Sequence, residues 1–260
     1  MNDFRWKYVY GVMWDHEEIP DNVEVVERPE VLMYKTEGST SLFSNKVARV
    51  DVDSEQKLAE VLKEIEVFFG SKPFSWWIGP DSSPGGLAGI VENHGYQHHD
   101  TYFGLVKSVE MMDDNLVPYK IRVAESEQDV RAFVDVSASI WNYDEATRET
   151  IVQQRIAYLR SEGCRGGVLV VSDGDRPIAY AGYRFSSDGE AMYLSGTGVL
   201  GEYRGQGIYR ALLKKRVELA REHGCKWIAT QARTGTSEPI LRRSGFEEIG
   251  VYKVFTVQEQ

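Results

Sequence analysis

Cysteine is almost missing from this chain of 260 residues: only Cys164 and Cys225 are present, far apart and without His or Cys neighbours at ligand spacing. That scarcity argues against a disulfide framework or a zinc knuckle and points to a reducing, cytoplasmic setting. Long apolar runs are missing too. No stretch approaches the roughly twenty apolar residues of a membrane-spanning helix, so no membrane partner is expected. The first fifteen residues interleave Asp3, Arg5 and Lys7 with aromatic side chains and lack the apolar centre of a secretory signal. Positive charge is scarce in the first half: residues 1–117 carry 10 Lys+Arg against 21 Asp+Glu, a net of −11, and the remainder carries 20 against 19. That deficit speaks against nucleic acid as a partner of the first half. It also suggests two units with different jobs, residues 1–117 and 118–260.

What is present is a mixed α and β pattern. In the first half, Leu58, Val61, Leu62, Ile65, Phe68 and Phe69 recur at helical spacing within Asp51–Phe69, with Ser54 as a cap and Gly70 as a stop. Val47–Val52 and Phe74–Ile78 read as strands, Gly79–Gly86 as a turn, Leu87–Asn93 as a short helix, and the stretch from Tyr96 through Val109 as a strand. The second half starts afresh at Val117-Pro118. A strand over Tyr119–Val123 and a helix over Glu127–Trp141 precede a hairpin of Gly167–Ser172 and Pro177–Phe185, turning at Asp173-Gly174-Asp175. A strand over Ala191–Leu200, a helix over Gly207–His223 and a strand over Lys226–Ala232 follow. A short helix, Ser237–Ser244, and a last strand, Phe246–Val257, complete the chain. Hairpins followed by β-α-β predict an α/β fold with a mixed sheet in which at least two strands are parallel.

An internal echo links the halves. Ile90-Val91-Glu92-Asn93-His94-Gly95-Tyr96 parallels Ile240-Leu241-Arg242-Arg243-Ser244-Gly245-Phe246, and at the same offset Tyr102 meets Tyr252. Each copy is a short helix stopped by Gly and followed by an aromatic strand, which suggests duplication with divergence.

The segment richest in chemistry is Val199-Leu200-Gly201-Glu202-Tyr203-Arg204-Gly205-Gln206-Gly207-Ile208-Tyr209-Arg210. A strand ends, a glycine-bearing loop follows, and a helix begins. The first N–H groups of a helix have no intrahelical partner, and glycine lets a ligand approach them. The helix dipole favours an anion there by about 0.3–1 kcal/mol, or up to about 2 when partly buried. Arg204 and Arg210 add charge, so the fitting ligand is a phosphate or pyrophosphate. Upstream, Gly196-Thr197-Gly198-Val199-Leu200-Gly201 matches the dinucleotide pattern G-x-G-x-x-G. Its glycines fall in a strand-like run instead of opening a helix, which argues against nucleotide-dependent redox chemistry.

Arg204-Gly205-Gln206-Gly207-Ile208 resembles the pyrophosphate loop of the GNAT superfamily of acyl-CoA-dependent N-acyltransferases, [Gln/Arg]-x-x-Gly-x-[Gly/Ala]; Tyr209 stands where a small residue is usual. Thr230-Gln231-Ala232 and Pro239-Ile240-Leu241-Arg242-Arg243-Ser244-Gly245-Phe246 extend the resemblance across Tyr119–Val257. Over the first half it rests on the echo and on Trp76-Trp77-Ile78-Gly79-Pro80, which looks like the N-terminal half of tandem GNAT proteins. The resemblance implies two tandem GNAT-like domains, the first degenerate and without a CoA loop. It also implies acetyl-CoA as donor, bound by Val199, Leu200, Arg204, Gly205, Gln206, Gly207, Ile208 and Tyr209. A small-molecule amine is the implied acceptor, expected to be cationic given the acidic first half, and the assembly a monomer or homodimer without a metal.

In that family a strand N–H holds the thioester carbonyl, which the resemblance places at Val199 or Leu200, and a carboxylate base often lies on the same strand. Here the matching position is Tyr193, on one face with Ser195, Thr197 and Val199 if the strand alternates. It is either a residue that orients water or substrate or a packing tyrosine. Many relatives protonate the leaving thiolate with a tyrosine four residues before the Gly of the Gly-Phe pair, where this chain has Leu241. Tyr252, Ser237 or solvent would then serve, or the protein binds acyl-CoA without catalysis. Glu190 and Glu202 are carboxylate candidates that also suit turns. Trp76 and Trp77, if exposed, would offer a cation–π face. His94, His98 and His99 near Asp100 read as an exposed strand end.

Overall fold

The computed structural model describes residues 3–14, 19, 22–39, 44–109 and 118–257, with residues 11–14 described for their backbone alone. Helix α1 (Trp6–Trp14) precedes strands β1 (Val23–Arg28), β2 (Val31–Thr36) and β3 (Lys46–Val50). Helix α2 (Glu55–Phe69), β4 (Ser75–Ile78), α3 (Leu87–Asn93) and β5 (Tyr96–Ser108) follow. After β6 (Lys120–Val123) come α4 (Glu127–Trp141) and α5 (Glu145–Arg160), then β7 (Gly166–Asp173), β8 (Arg176–Phe185) and β9 (Ala191–Val199). A 3-10 turn over Gly201–Tyr203 leads to α6 (Ile208–Glu222), β10 (Trp227–Arg233), α7 (Ser237–Arg243) and β11 (Glu247–Val257).

Two compact units emerge, and they are not consecutive halves. The first comprises Met1–Trp6, Ile19–Leu105 and Gln231–Gln260; the second comprises Lys7–Glu18 and Val106–Thr230. The expected start of a second half at Val117 lies outside the described residues. Gln231–Gln260 belongs to the first unit because β11 runs antiparallel to β4, with Val254 opposite Trp77 and Phe255 opposite Trp76.

In the first unit the strands order as β1-β2-β3-β4-β11-β5. Helix α2 covers them through Leu58, Val61, Ile65 and Phe69, packed with Val31, Met33, Val47, Trp76 and Phe255. Its ends are those of the sequence reading: the Ser54 side chain accepts from the Lys57 N–H at 3.3 Å, and Gly70 stops the helix at φ 55. Trp76 and Trp77 are only 3% and 4% exposed. The condition for a cation–π face is therefore not met: both rings are core, and the side chain over Trp77 is the chain's own Lys46, 5.8 Å from the ring centre.

The internal echo is structural as well. The His94 N–H donates to the Ile90 and Val91 carbonyls, and the Ser244 N–H to those of Ile240 and Leu241. Gly95 and Gly245 follow at φ 89 and φ 83, and Tyr102 and Tyr252 both reach the ring of Trp77.

In the second unit the order is β10-β9-β8-β7-β6, with β9 and β10 parallel and the other neighbours antiparallel. Val168, Val170 and Tyr180 turn their side chains toward α4 and α5, forming a core with Val130, Phe133, Val134, Val152 and Ile156. α6 packs on β8 and β9. Helix α4 matches the expected span; its N-terminus is closed by reciprocal bonds between Ser126 and Asp129. α5 escapes the sequence reading because Val152 and Ile156 are its only buried positions, too few for a visible period.

Gly198 faces this core: a side chain there would begin 2.4 Å from the Tyr180 ring and 2.7 Å from Ile140 Cδ1. Gly198→Ala should therefore destabilise by about 1–3 kcal/mol through overpacking. Gly89, exposed within α3 with open space around it, is the control: Gly89→Ala should stabilise by about 0.5–1 kcal/mol. Urea melts of the two variants check both signs.

Candidate functional site

The chain leaves β9 at Val199, makes the 3-10 turn and enters α6 through two glycines in left-handed backbone, Gly205 at φ 77 and Gly207 at φ 82. Such values cost little only for glycine. Nothing lies within 4 Å of where a side chain at Gly205 would begin, so the loop borders open space. It is fastened from below. The Tyr203 hydroxyl donates to Asp173 at 3.1 Å, Arg176 pairs with Glu202 at 2.6 Å, and the Gln206 amide donates to the Glu202 carbonyl at 3.1 Å. The Tyr119 hydroxyl donates to Gln206 Oε1 at 2.5 Å. In α6 the Ala211 N–H donates to the Gly207 carbonyl at 3.0 Å; the amides of Ile208, Tyr209 and Arg210 precede that bond. No side chain caps this end. Arg204 and Arg210 are exposed beside it. The result is a donor-lined, positively charged cradle for an anion.

Strand β9 contains the second half of the site. Its register with β8 shifts by one: Tyr193 opposes Arg184 and Leu194 opposes Tyr183, but Thr197 opposes Ala181 and Val199 opposes Ala179. Ser195 and Gly196 thus share Gly182 as their opposite number, a β-bulge. The bulge reverses the alternation. Tyr193 faces the same side as Arg184 and Tyr180, whereas Thr197 and Val199 share the face of Leu194, so the expectation that Tyr193, Ser195, Thr197 and Val199 lie on one face is corrected for Thr197 and Val199. A side chain at Gly182 would begin 2.3 Å from Ser195 Oγ, so that hydroxyl would have to turn away.

At the bulge β9 also parts from β10. Their register covers Trp227 with Ala191, Ile228 with Met192 and Ala229 with Tyr193. At the next step the Thr230 hydroxyl donates to the Leu194 carbonyl at 2.9 Å. Ser195 and Gly196 are exposed, although the four preceding strand residues are buried. A strand edge open in mid-sheet is a slot in which a ligand takes the place of a neighbouring strand.

Of the two expected thioester contacts, the Leu200 N–H is already committed to the Ile178 carbonyl at 3.0 Å. That bond makes Val199 and Ala179 a non-hydrogen-bonded pair, so the Val199 N–H points away from β8. Val199 is the available donor, and its carbonyl accepts from Arg204 Nε at 3.1 Å. Tyr193, 8% exposed, lies one residue pair before the bulge. Glu190 is held ionised by Lys226 and the Tyr8 hydroxyl, and its carboxyl sits below its usual pKa. The Glu202 carboxyl is lowered by its own backbone N–H and by Arg176. Both are turn carboxylates. Tyr252 belongs to the first unit, fully buried, stacked on Trp6 at 5.0 Å and pressed against Gly79. Leu241 is buried in that unit as well.

Two residues gain a place at the site that the sequence did not give them. Ser195, expected only as a face-mate of Tyr193, stands at the bulge. Arg216 is 1% exposed in α6, and a signal for it existed: it continues the apolar series Ile208, Leu212, Leu219 at helical spacing. Among the described residues no group of three or more His, Cys, Asp or Glu is gathered as for a metal; His98 bonds Thr101, and Asp100 pairs with Arg233. The G-x-G-x-x-G run begins inside β9 and opens no helix.

Residues 131–246 match the acetyltransferase (GNAT) family. Among solved structures, a tandem GNAT protein from the clavulanic acid biosynthesis pathway superposes with a TM-score of 0.65 at 12% identity, over 93% of this chain and 86% of its own. A GCN5-related N-acetyltransferase from Sphaerobacter thermophilus gives 0.66 at 16% identity, over 96% and 85%. One from Kribbella flavida gives 0.63 at 17%, over 91% and 90%. None of the curated proteins matches the sequence. At these identities the structural likeness is one of fold.

Since Gly205 is left-handed but unobstructed, Gly205→Ala should cost about 1–2 kcal/mol from the backbone alone. Gly201→Ala, equally open and without a positive φ, should stay within about 0.5 kcal/mol of the parent. Denaturant midpoints of the two variants separate strain from packing.

Proposed function

Because the chain carries an acetyltransferase domain of the GNAT family over residues 131–246, we propose that it transfers an acetyl group from acetyl-CoA to the amine of a small acceptor, at one acyl-CoA site per chain. The observation that carries this reading is the uncapped start of α6 behind Gly205 and Gly207, joined through Val199 to a strand edge opened by a bulge. The pyrophosphate would lie on the amides of Ile208 to Arg210, with Arg204 and Arg210 beside it. The thioester carbonyl would accept from Val199, where a preset donor stabilises the charge that develops on oxygen.

The acceptor amine must lose a proton. An unperturbed lysine-like amine costs about 4.6 kcal/mol to neutralise at pH 7. No carboxylate of raised pKa stands on β9, so Tyr193 is assigned to orient the amine or a water through which the proton leaves. Leu241 occupies the place of the usual proton donor, and Tyr252 is sealed among rings; the thiolate is then protonated from solvent. The same two facts favour, as the second reading, a protein that binds acyl-CoA without turnover. The net −11 of residues 1–117 supports a cationic acceptor, attracted over a Debye length of about 8 Å at physiological salt.

Acetyl-CoA at a hundred times its Kd should stabilise the protein by about 2.7 kcal/mol. Gly207→Asp places a carboxylate where the phosphate belongs and should abolish that thermal shift. A folded Gly207→Asp variant with an undiminished shift refutes the site.

Free-thiol release from acetyl-CoA against a panel of amines separates the two readings: release with a cationic amine supports transfer, and binding without release supports the silent protein. With the active amine, Tyr193→Phe should lower kcat and leave the Kd of acetyl-CoA unchanged.

A further inference from the structure

The bulge and the anion cradle meet in one buried side chain. Arg216 Nη1 donates to the Gly182 carbonyl at 3.2 Å and lies 3.5 Å from the Ser195 carbonyl; Nε donates to the Leu212 carbonyl at 3.3 Å. Nη2 is buried and has no hydrogen-bond partner among the described residues, and no carboxylate there pairs with the guanidinium. The phenol of Tyr209 stands beside the guanidinium and favours its charged form. A buried cation carries a heavy desolvation cost and is ordinarily matched by an anion. Burial pulls this one down to about 10, which still leaves it charged at neutral pH.

Its acceptors explain its presence. Gly182 and Ser195 face each other at the bulge, and Arg216 reaches both carbonyls. Tyr209 lies in the first turn of α6, seven residues and so about two helical turns before Arg216, on the same face. Tyr209 also holds the loop position where the family resemblance leads one to expect a small residue. Its phenol there stands beside Arg216.

We propose that Arg216, with Tyr209, is a positioning residue that couples the start of α6 to the bulge of β9, holding the anion cradle and the Val199 edge in one fixed relation. Its consequence for ligand binding rests on the acyl-CoA reading; the coupling itself does not. Neither side chain needs to touch a reacting atom. One guanidinium registers the helix against the strand, so that a donor seated on the loop meets Val199 without further ordering.

Amide hydrogen exchange on the ligand-free full chain, with calorimetric titration of acetyl-CoA, tests the proposal on Tyr209→Phe, Arg216→Met and Arg216→Lys. Tyr209→Phe keeps the ring and loses only the hydroxyl. It should speed exchange in both Ser195–Val199 and Gly205–Tyr209 by about tenfold, while α4 stays as in the parent. The Kd of acetyl-CoA should rise by about the same factor, and Arg216→Lys should recover most of what Arg216→Met loses. If Tyr209→Phe exchanges like the parent at Ser195–Val199, or if Arg216→Met only lowers Tm with no change in Kd, the coupling is refuted. Failure of the parent to bind acetyl-CoA would overturn the acyl-CoA reading, and the exchange data would still decide the coupling.

Discussion

The inserted residue in β9 is the constraint from which the other features of the second unit follow. Opposite Gly182 the strand carries Ser195 and Gly196 where one residue would complete the ladder. An extra residue in an antiparallel pair leaves backbone groups unpaired and exchanges the faces beyond it. At that place a guanidinium from α6 meets the carbonyls of Gly182 and Ser195. The parallel pairing with β10 ends at Ala229 and Tyr193, and a threonine hydroxyl takes the last carbonyl. Gly182 leaves room for the Ser195 hydroxyl, which a Cβ there would displace.

The glycine loop depends on that strand for its direction. Leu200 remains tied to β8 through the Ile178 carbonyl, so the chain leaves the sheet with the Val199 N–H directed away from β8. The 3-10 turn and the two left-handed glycines then turn it into α6 with the first amides uncapped. Asp173, Arg176 and Tyr119 hold the loop's side chains from the hairpin side. Preset donors of this kind need no reorganisation when an anion arrives, which is why they favour binding more than their individual strengths suggest.

The chemistry open to the site follows from which charges are already satisfied. Glu190 and Glu202 are bound to cations and kept below the usual carboxylate range, so they make poor proton acceptors. The tyrosines divide between the units, Tyr193 in the second and Tyr252 in the first. An amine transfer in this setting relies on orientation and on the Val199 donor more than on a strong base.

Much of this was legible in the chain itself. The 3.6-residue period and the Ser54 and Gly70 ends defined α2, the span of α4 was read without error, and Asp173 to Asp175 marked the hairpin turn. Glycines 205 and 207 between a strand and an apolar helix marked the cradle, because left-handed backbone before a helix is a local property of glycine. Tertiary structure decided the rest. The first unit takes Gln231–Gln260 because strand pairing acts between segments distant in sequence. The face of Tyr193 depended on a bulge that no periodicity announces, since it arises from the mismatch between two strands. Trp77 was enclosed by rings from β5 and β11. Arg216 drew no reading of its own and Tyr209 read as an exception to a motif until a fold placed them together, because burial and hydrogen bonding belong to neighbours in space and local sequence specifies only neighbours along the chain.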